Sequence, residues 1–188
     1  GGGALWVGTY GGGLDRLERE TGRFVHYRHD PADPRSLSND FVRCILEDGV
    51  GALWVGTQGG GLNRLDRATG AFTRWRSDPA DRASLSNDYV FALHEGRGGE
   101  LWIGTYGGGL NRLDRQTGRF TRFTSREGLP SDAVYGILED EGGRLWVSTN
   151  RGLACFDPRE GTFHAYDRRD GLQSDEFNGG AFLRSGRG

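Results

Sequence analysis

Leu53-Trp54-Val55-Gly56-Thr57-Gln58-Gly59-Gly60-Gly61-Leu62-Asn63-Arg64-Leu65-Asp66 recurs, with small changes, on both sides of itself. Leu5 to Leu17 and Leu101 to Asp114 are close copies, and Leu145-Trp146-Val147-Ser148-Thr149 opens a divergent fourth. The tryptophans Trp6, Trp54, Trp102 and Trp146 are spaced by 48, 48 and 44 residues. Self-similarity at a period of roughly 40 to 50 residues marks solenoids and propellers, so the repeat governs how each single residue is read.

Working outward from that stretch, Phe41 to Leu46 is a mostly apolar run of strand length, and Glu47 to Gly51 is hairpin turn chemistry. Leu53 to Thr57 is the next strand, closed by the glycine triplet Gly59 to Gly61, where unusual backbone angles are cheap. Leu62 to Leu65 and Phe72 to Trp75 follow as the third and fourth strands, separated by Thr69-Gly70. Four short antiparallel strands in about 45 residues match one β-propeller blade. With strands lettered A to D from the axis outward, the pattern predicts an all-β fold: a β-propeller fragment of about four four-stranded antiparallel blades, an open arc of a larger propeller. One propeller region covers residues 1–188, with a partial blade over 1–29, blades starting near 41, 89 and 133, and a trailing strand over 177–184. That makes about sixteen strands with negligible helix. The competing closure is a four-bladed ring in which Phe177 to Leu183 clasps the first sheet.

Charge is balanced, with 24 basic and 26 acidic side chains and a net charge of -2, so the footprint of a nucleic-acid binder is missing. No apolar run approaches the roughly 18 residues of a membrane helix. A start inside a repeat and without Met reads as a fragment. Cys44 and Cys155 sit in apolar strand-like runs without CxxC or Cys/His spacing and read as small core hydrophobes.

The four repeated tryptophans read as fillers between blades, because strand B is covered on both faces, and the strand D aromatics Tyr27, Trp75, Phe123 and Tyr166 read as a rim. His26 and His29, three apart in extended chain, point to opposite faces and make a poor metal site. The Asp30/Asp33 and Asp78/Asp81 pairs lie in turns and fall short of a calcium ligand set. No metal and no cofactor is expected. Because strands alternate in direction, the D-to-A linkers and B-to-C turns emerge on one face. That face collects Tyr10, Gln58, Tyr106 and Asn150, the residues that vary after the repeated Thr, with Asn87, Asp88, Asp132, Asp175 and Arg151. Asn87, Asp88 and their counterparts also fit strand-entry turns. Aromatics, amides and carboxylates around a central depression suit a polar ligand such as an oligosaccharide. Arg151 adds a fixed fork of donors for a carboxylate or sulfate.

Ser84-Leu85-Ser86-Asn87-Asp88-Tyr89-Val90, followed by Glu100-Leu101-Trp102-Ile103-Gly104-Thr105, resembles the two-component regulator propeller repeat, and Glu139 to Val147 repeats the signature. The resemblance implies the extracytoplasmic, periplasmic sensor region of a bacterial hybrid histidine kinase or related receptor. Gly171 to Asn178 is similar to the segment near the end of such propellers, which implies downstream immunoglobulin-like, membrane and kinase or cyclase domains in the same protein. The chain itself is then non-catalytic and relays binding of a ligand or partner. Terminal blades that expose inter-blade faces favour association, as in a homodimer. A propeller glycosidase or lyase, which would need one outstanding carboxylate pair, and a pure interaction scaffold are the competing readings.

Overall fold

A computed structural model describes residues 4–183. Its fifteen strands form four antiparallel sheets. Blade 1 has three strands, β1 (Leu5–Gly8), β2 (Leu14–Glu18) and β3 (Arg23–Tyr27). Blade 2 comprises β4 (Val42–Glu47), β5 (Leu53–Thr57), β6 (Gly61–Leu65) and β7 (Phe72–Trp75). Blade 3 comprises β8 (Val90–Glu95), β9 (Leu101–Thr105), β10 (Gly109–Leu113) and β11 (Phe120–Phe123). Blade 4 comprises β12 (Val134–Glu139), β13 (Leu145–Thr149), β14 (Gly152–Asp157) and β15 (Thr162–Tyr166). Each sheet keeps its strands in chain order, and β1, β4, β8 and β12 bring successive blades face to face.

The repeated Leu-Trp-Val-Gly-Thr is legible as packing. Leu53, Val55, Leu101 and Ile103 are fully buried, and Trp54 and Trp102 nearly so. Trp102 meets Phe156 of blade 4 at 5.7 Å between ring centroids, as a filler between blades should. Each strand D aromatic covers the tryptophan of its own blade: Tyr27 on Trp6, Trp75 on Trp54, Phe123 on Trp102 and Tyr166 on Trp146. The glycine is dictated both by the paired strand A of its own blade, where a Cβ on Gly56 would lie 2.4 Å from Cys44 Sγ, and from outside the blade. A Cβ on Gly56 would lie 2.5 Å from Cγ1 of Val90, and one on Gly104 2.5 Å from Cγ1 of Val134, each valine belonging to the next blade.

The linkers are built in. Leu37, Leu85 and Leu129 plug the gap between blades and are buried in three successive core clusters. Beside Leu37, the Ser38 amide donates to Asn63 Oδ1 at 3.0 Å, and Asn63 Nδ2 donates to Ser38 Oγ at 2.8 Å. Thr57 Oγ1 donates to the Gly61 carbonyl and lies 3.2 Å from Ser38 Oγ, closing a buried network. Ser86, Asn111 and Thr105 repeat it in blade 3. Arg74 and Arg122, on strand D, donate to three carbonyls each of the long linkers, at Asp33, Ser36 and Leu37 and at Asp81, Ser84 and Leu85.

Blade 1 leaves Leu5 47% and Val7 38% exposed, whereas their counterparts Leu53 and Val55 are 1% and 0%. This face of blade 1 is uncovered among the described residues. The trailing strand expected over 177–184 does not form across the described residues, and residue 184 lies outside them. Phe177 donates one amide bond to the Thr149 carbonyl, the chain then turns through Asn178 to Ala181, and the Phe182 ring covers Gly136. A strand A zips onto the strand B that follows it, and residues 178–183 have no such partner. Because this segment stays on blade 4, the clasp against Leu5 to Thr9 is not made.

Candidate functional site

Strand A of blades 2, 3 and 4 carries one extra residue at the same place. Val42 pairs with Thr57 and Cys44 with Gly56, so Arg43 is skipped. Phe91 is skipped between Val90 and Ala92, and Tyr135 between Val134 and Gly136. A bulge bends the strand and re-aims the unpaired side chain, and such bulges gather next to binding sites.

Here they bring residues from four blades into one strip. The Arg43 guanidinium carbon lies 5.4 Å from the Tyr10 ring of blade 1 and 4.6 Å from the Phe91 ring of blade 3. Phe91 in turn meets Tyr106 at 5.4 Å and Tyr135 of blade 4 at 6.2 Å, and Tyr106 and Tyr135 are 6.2 Å apart. Phe41 stands edge-on to Tyr10 at 4.6 Å. Tyr10 is 68% and Tyr106 47% exposed, so the strip presents aromatic surface to solvent. Burial pushes the Tyr135 phenol up, and the neighbouring Tyr106 and Glu176 push the same way, so it stays a neutral hydrogen-bond donor.

Of the residues picked out in the sequence, Tyr10 and Tyr106 join this strip. Gln58 holds the equivalent turn of blade 2, bridged to Tyr89 through the backbone, and its Oε1 is enclosed without a hydrogen-bond partner among the described residues. Asn150 and Arg151 are exposed on the blade 4 turn, where the Arg151 amide donates to Thr149 Oγ1. No ring contact or hydrogen bond ties either side chain to the strip among the described residues. The other four side chains serve the linkers. Asn87 Oδ1 accepts the Tyr89 amide. Asp88, Asp132 and Asp175 each accept a linker amide, from Ser77, Ser125 and Arg168, at 2.6–2.8 Å. Their main-chain carbonyls accept glycine amides of the preceding B-to-C turn.

Sequence reading missed Arg43, Phe91, Tyr135 and Phe41. The signal was present: between a constant Val and a small residue (Cys44, Ala92 or Gly136), the bulge position varies without regard to size or charge. Strict alternation, the usual rule for strands, hid it by assigning that position to an ordinary sheet face. Burial pushes the Cys44 thiol up to about 12 and raises that of Cys155 as well, so both rest protonated.

The family description "Two component regulator propeller" matches residues 36–59, 84–107 and 128–151, each running from linker through strand B to the B-to-C turn. The extracellular domain of a hybrid two component system from B. thetaiotaomicron is 31% identical, with a TM-score of 0.73 over 87% of this chain and 22% of that one. A second such domain from the same organism is 26% identical with a TM-score of 0.74, over 87% of this chain and 23% of that one. The chain therefore spans less than a quarter of the length of these structures. Virginiamycin B lyase from Staphylococcus aureus, 18% identical over 94% of this chain and 55% of that one with a TM-score of 0.68, shares the fold alone. No curated protein sequence matches.

Proposed function

We propose, for a chain that carries two component regulator propeller repeats, a non-catalytic sensing role: it binds a polar ligand such as an oligosaccharide on the face where the bulges and B-to-C turns meet. The parent is read as a periplasmic-facing receptor whose downstream immunoglobulin-like, membrane and kinase or cyclase parts carry the output. The likeness to extracellular domains of two component systems supports that placement.

The observation that carries the ligand reading is the aromatic strip of exposed Tyr10 and Tyr106 with half-buried Phe91 and Tyr135, drawn from three separate blades. Aromatic faces held by a rigid scaffold bind flat ring faces at low entropic cost, and each is worth about 1 kcal/mol beyond its buried area. Asn150, Arg151 and Gln58 extend the face with polar groups, and a second copy of the chain or a partner protein is the alternative occupant. The test is a panel of oligosaccharides titrated into the intact protein with a downstream reporter. Phe91→Ala and Tyr106→Ala are expected to weaken binding roughly tenfold each while leaving the melting curve in place. A full response from the double variant would remove the strip from the site.

A further inference from the structure

Arg43, on β4, is not tied into the framework as Arg74, Arg122 and Arg115 are. Arg74 and Arg122 are spent on carbonyls, and Arg115 on Asp48 and Glu95. Arg43 is exposed, held between the Tyr10 and Phe91 rings, and has neither a hydrogen bond nor an ion pair among the described residues. Rings on a guanidinium fix its plane and leave the N–H edge open, and a planar fork of that kind matches two oxygens of an anion at once. The bulge supplies a second, independent reason for its direction. Arg43 occupies the one position per blade that strand pairing releases, in line with Phe91 and Tyr135.

We propose that the ligand of this face is anionic, a ring compound bearing a carboxylate or sulfate, such as an acidic sugar, with Arg43 as the anion fork and Phe91 and Tyr106 as the stacking faces beside it. The bulge position is then the specificity position of each blade: its side chain selects charge in blade 2 and ring faces in blades 3 and 4. The inference rests on the sensing reading above and goes further by fixing the ligand's charge. Of the acidic side chains nearby, Glu176 acts on Tyr135 at the blade 4 end of the strip and Asp40 accepts the His29 amide, and neither is hydrogen-bonded or ion-paired to Arg43 among the described residues.

The test is titration calorimetry on the intact protein with tetragalacturonate as carboxylate probe, a sulfated galactan tetrasaccharide as sulfate probe, and galactotetraose as the neutral control. At least one acidic probe is expected to bind tenfold or more tightly than the neutral one, with a preference that shrinks as salt rises. Arg43→Gln is expected to erase the preference and Arg43→Lys to keep part of it, both with unchanged melting curves because the side chain is exposed. Phe91→Ala should lower affinity for acidic and neutral probes alike. An acidic preference that survives Arg43→Gln, or a preference for the neutral sugar, overturns this inference and leaves the sensing reading standing. If no sugar binds, both fall. Binding of a polyglutamate peptide alone overturns it in favour of a protein partner.

Discussion

At the scale of residues, the divergence of blade 4 is concerted. Where blades 2 and 3 place Ser38 with Asn63 and Ser86 with Asn111, blade 4 has Pro130 with Ala154. Proline has no amide to donate, so the missing acceptor costs nothing there. Asn63→Ala in blade 2 should therefore cost about 2 kcal/mol, because it leaves the Ser38 amide without its acceptor in the core and the Ser38 hydroxyl with Thr57 alone. Ser38→Pro combined with Asn63→Ala should cost clearly less than the sum of the two single changes, and denaturation of the four proteins in a double-mutant cycle checks it. Asp140 gives a pH signature. Burial would raise its carboxyl, but the Arg144 amide, the Trp146 indole and the Arg144 guanidinium outweigh burial and hold it at about 2, against an ordinary 3.8. A pKa depressed by folding means this contribution is whole above about 3.8 and drains away as pH falls toward 2. Asp140→Asn should accordingly be less stable than the parent at neutral pH, with the gap closing through that window in acid titrations of unfolding.

At the scale of elements, linker length and strand D chemistry go together. The long linkers over 30–40 and 78–88 are each gripped by an arginine, Arg74 and Arg122, on the strand D they wrap against. The short linker over 125–132 faces Ala165 at the equivalent position and instead forms a single 3-10 turn, Ser125–Glu127, closed by a Thr124–Glu127 capping box. The grip also seals an edge strand, since Phe72 and Phe120 donate their amides to the linker carbonyls of Arg35 and Ala83. Arg122→Ala should cost about 1 to 2 kcal/mol and act locally. Hydrogen exchange at Phe120 and along 81–85 is expected to speed up while β13 and β14 stay protected; uniform acceleration would mean the arginine supports the whole array.

For the molecule as a whole, stability is a sum of blades and the interfaces between them, so an uncovered blade face is the weak point. Leu5, Val7 and Phe24 expose the apolar face of blade 1. The 188-residue chain is expected to self-associate at micromolar concentration, and Leu5→Glu with Val7→Glu should shift sedimentation toward monomer without lowering the melting temperature of blades 2 to 4. Supplying a preceding blade should raise that temperature.

The sequence by itself determined the period, the order of strands within each blade, the turn glycines and the packed tryptophans, because each is written locally and repeated, and repetition separates what packing requires from what varies. The reason for the glycine in Leu-Trp-Val-Gly-Thr lies partly in the next blade. Gly56 and Gly104 leave room for Val90 and Val134, and in blade 4 Ser148 takes the space opposite Gly136 where Gly104 faces Ala92. Tyr10 and Tyr106 could be picked out as variable turn residues, but Arg43, Phe91 and Tyr135 could not. Only register decides which residue of a strand is skipped. Register is a property of two strands and their neighbours, settled when Val42, Val90 and Val134 lock against the blade before them and the residue after each valine is pushed out of the ladder.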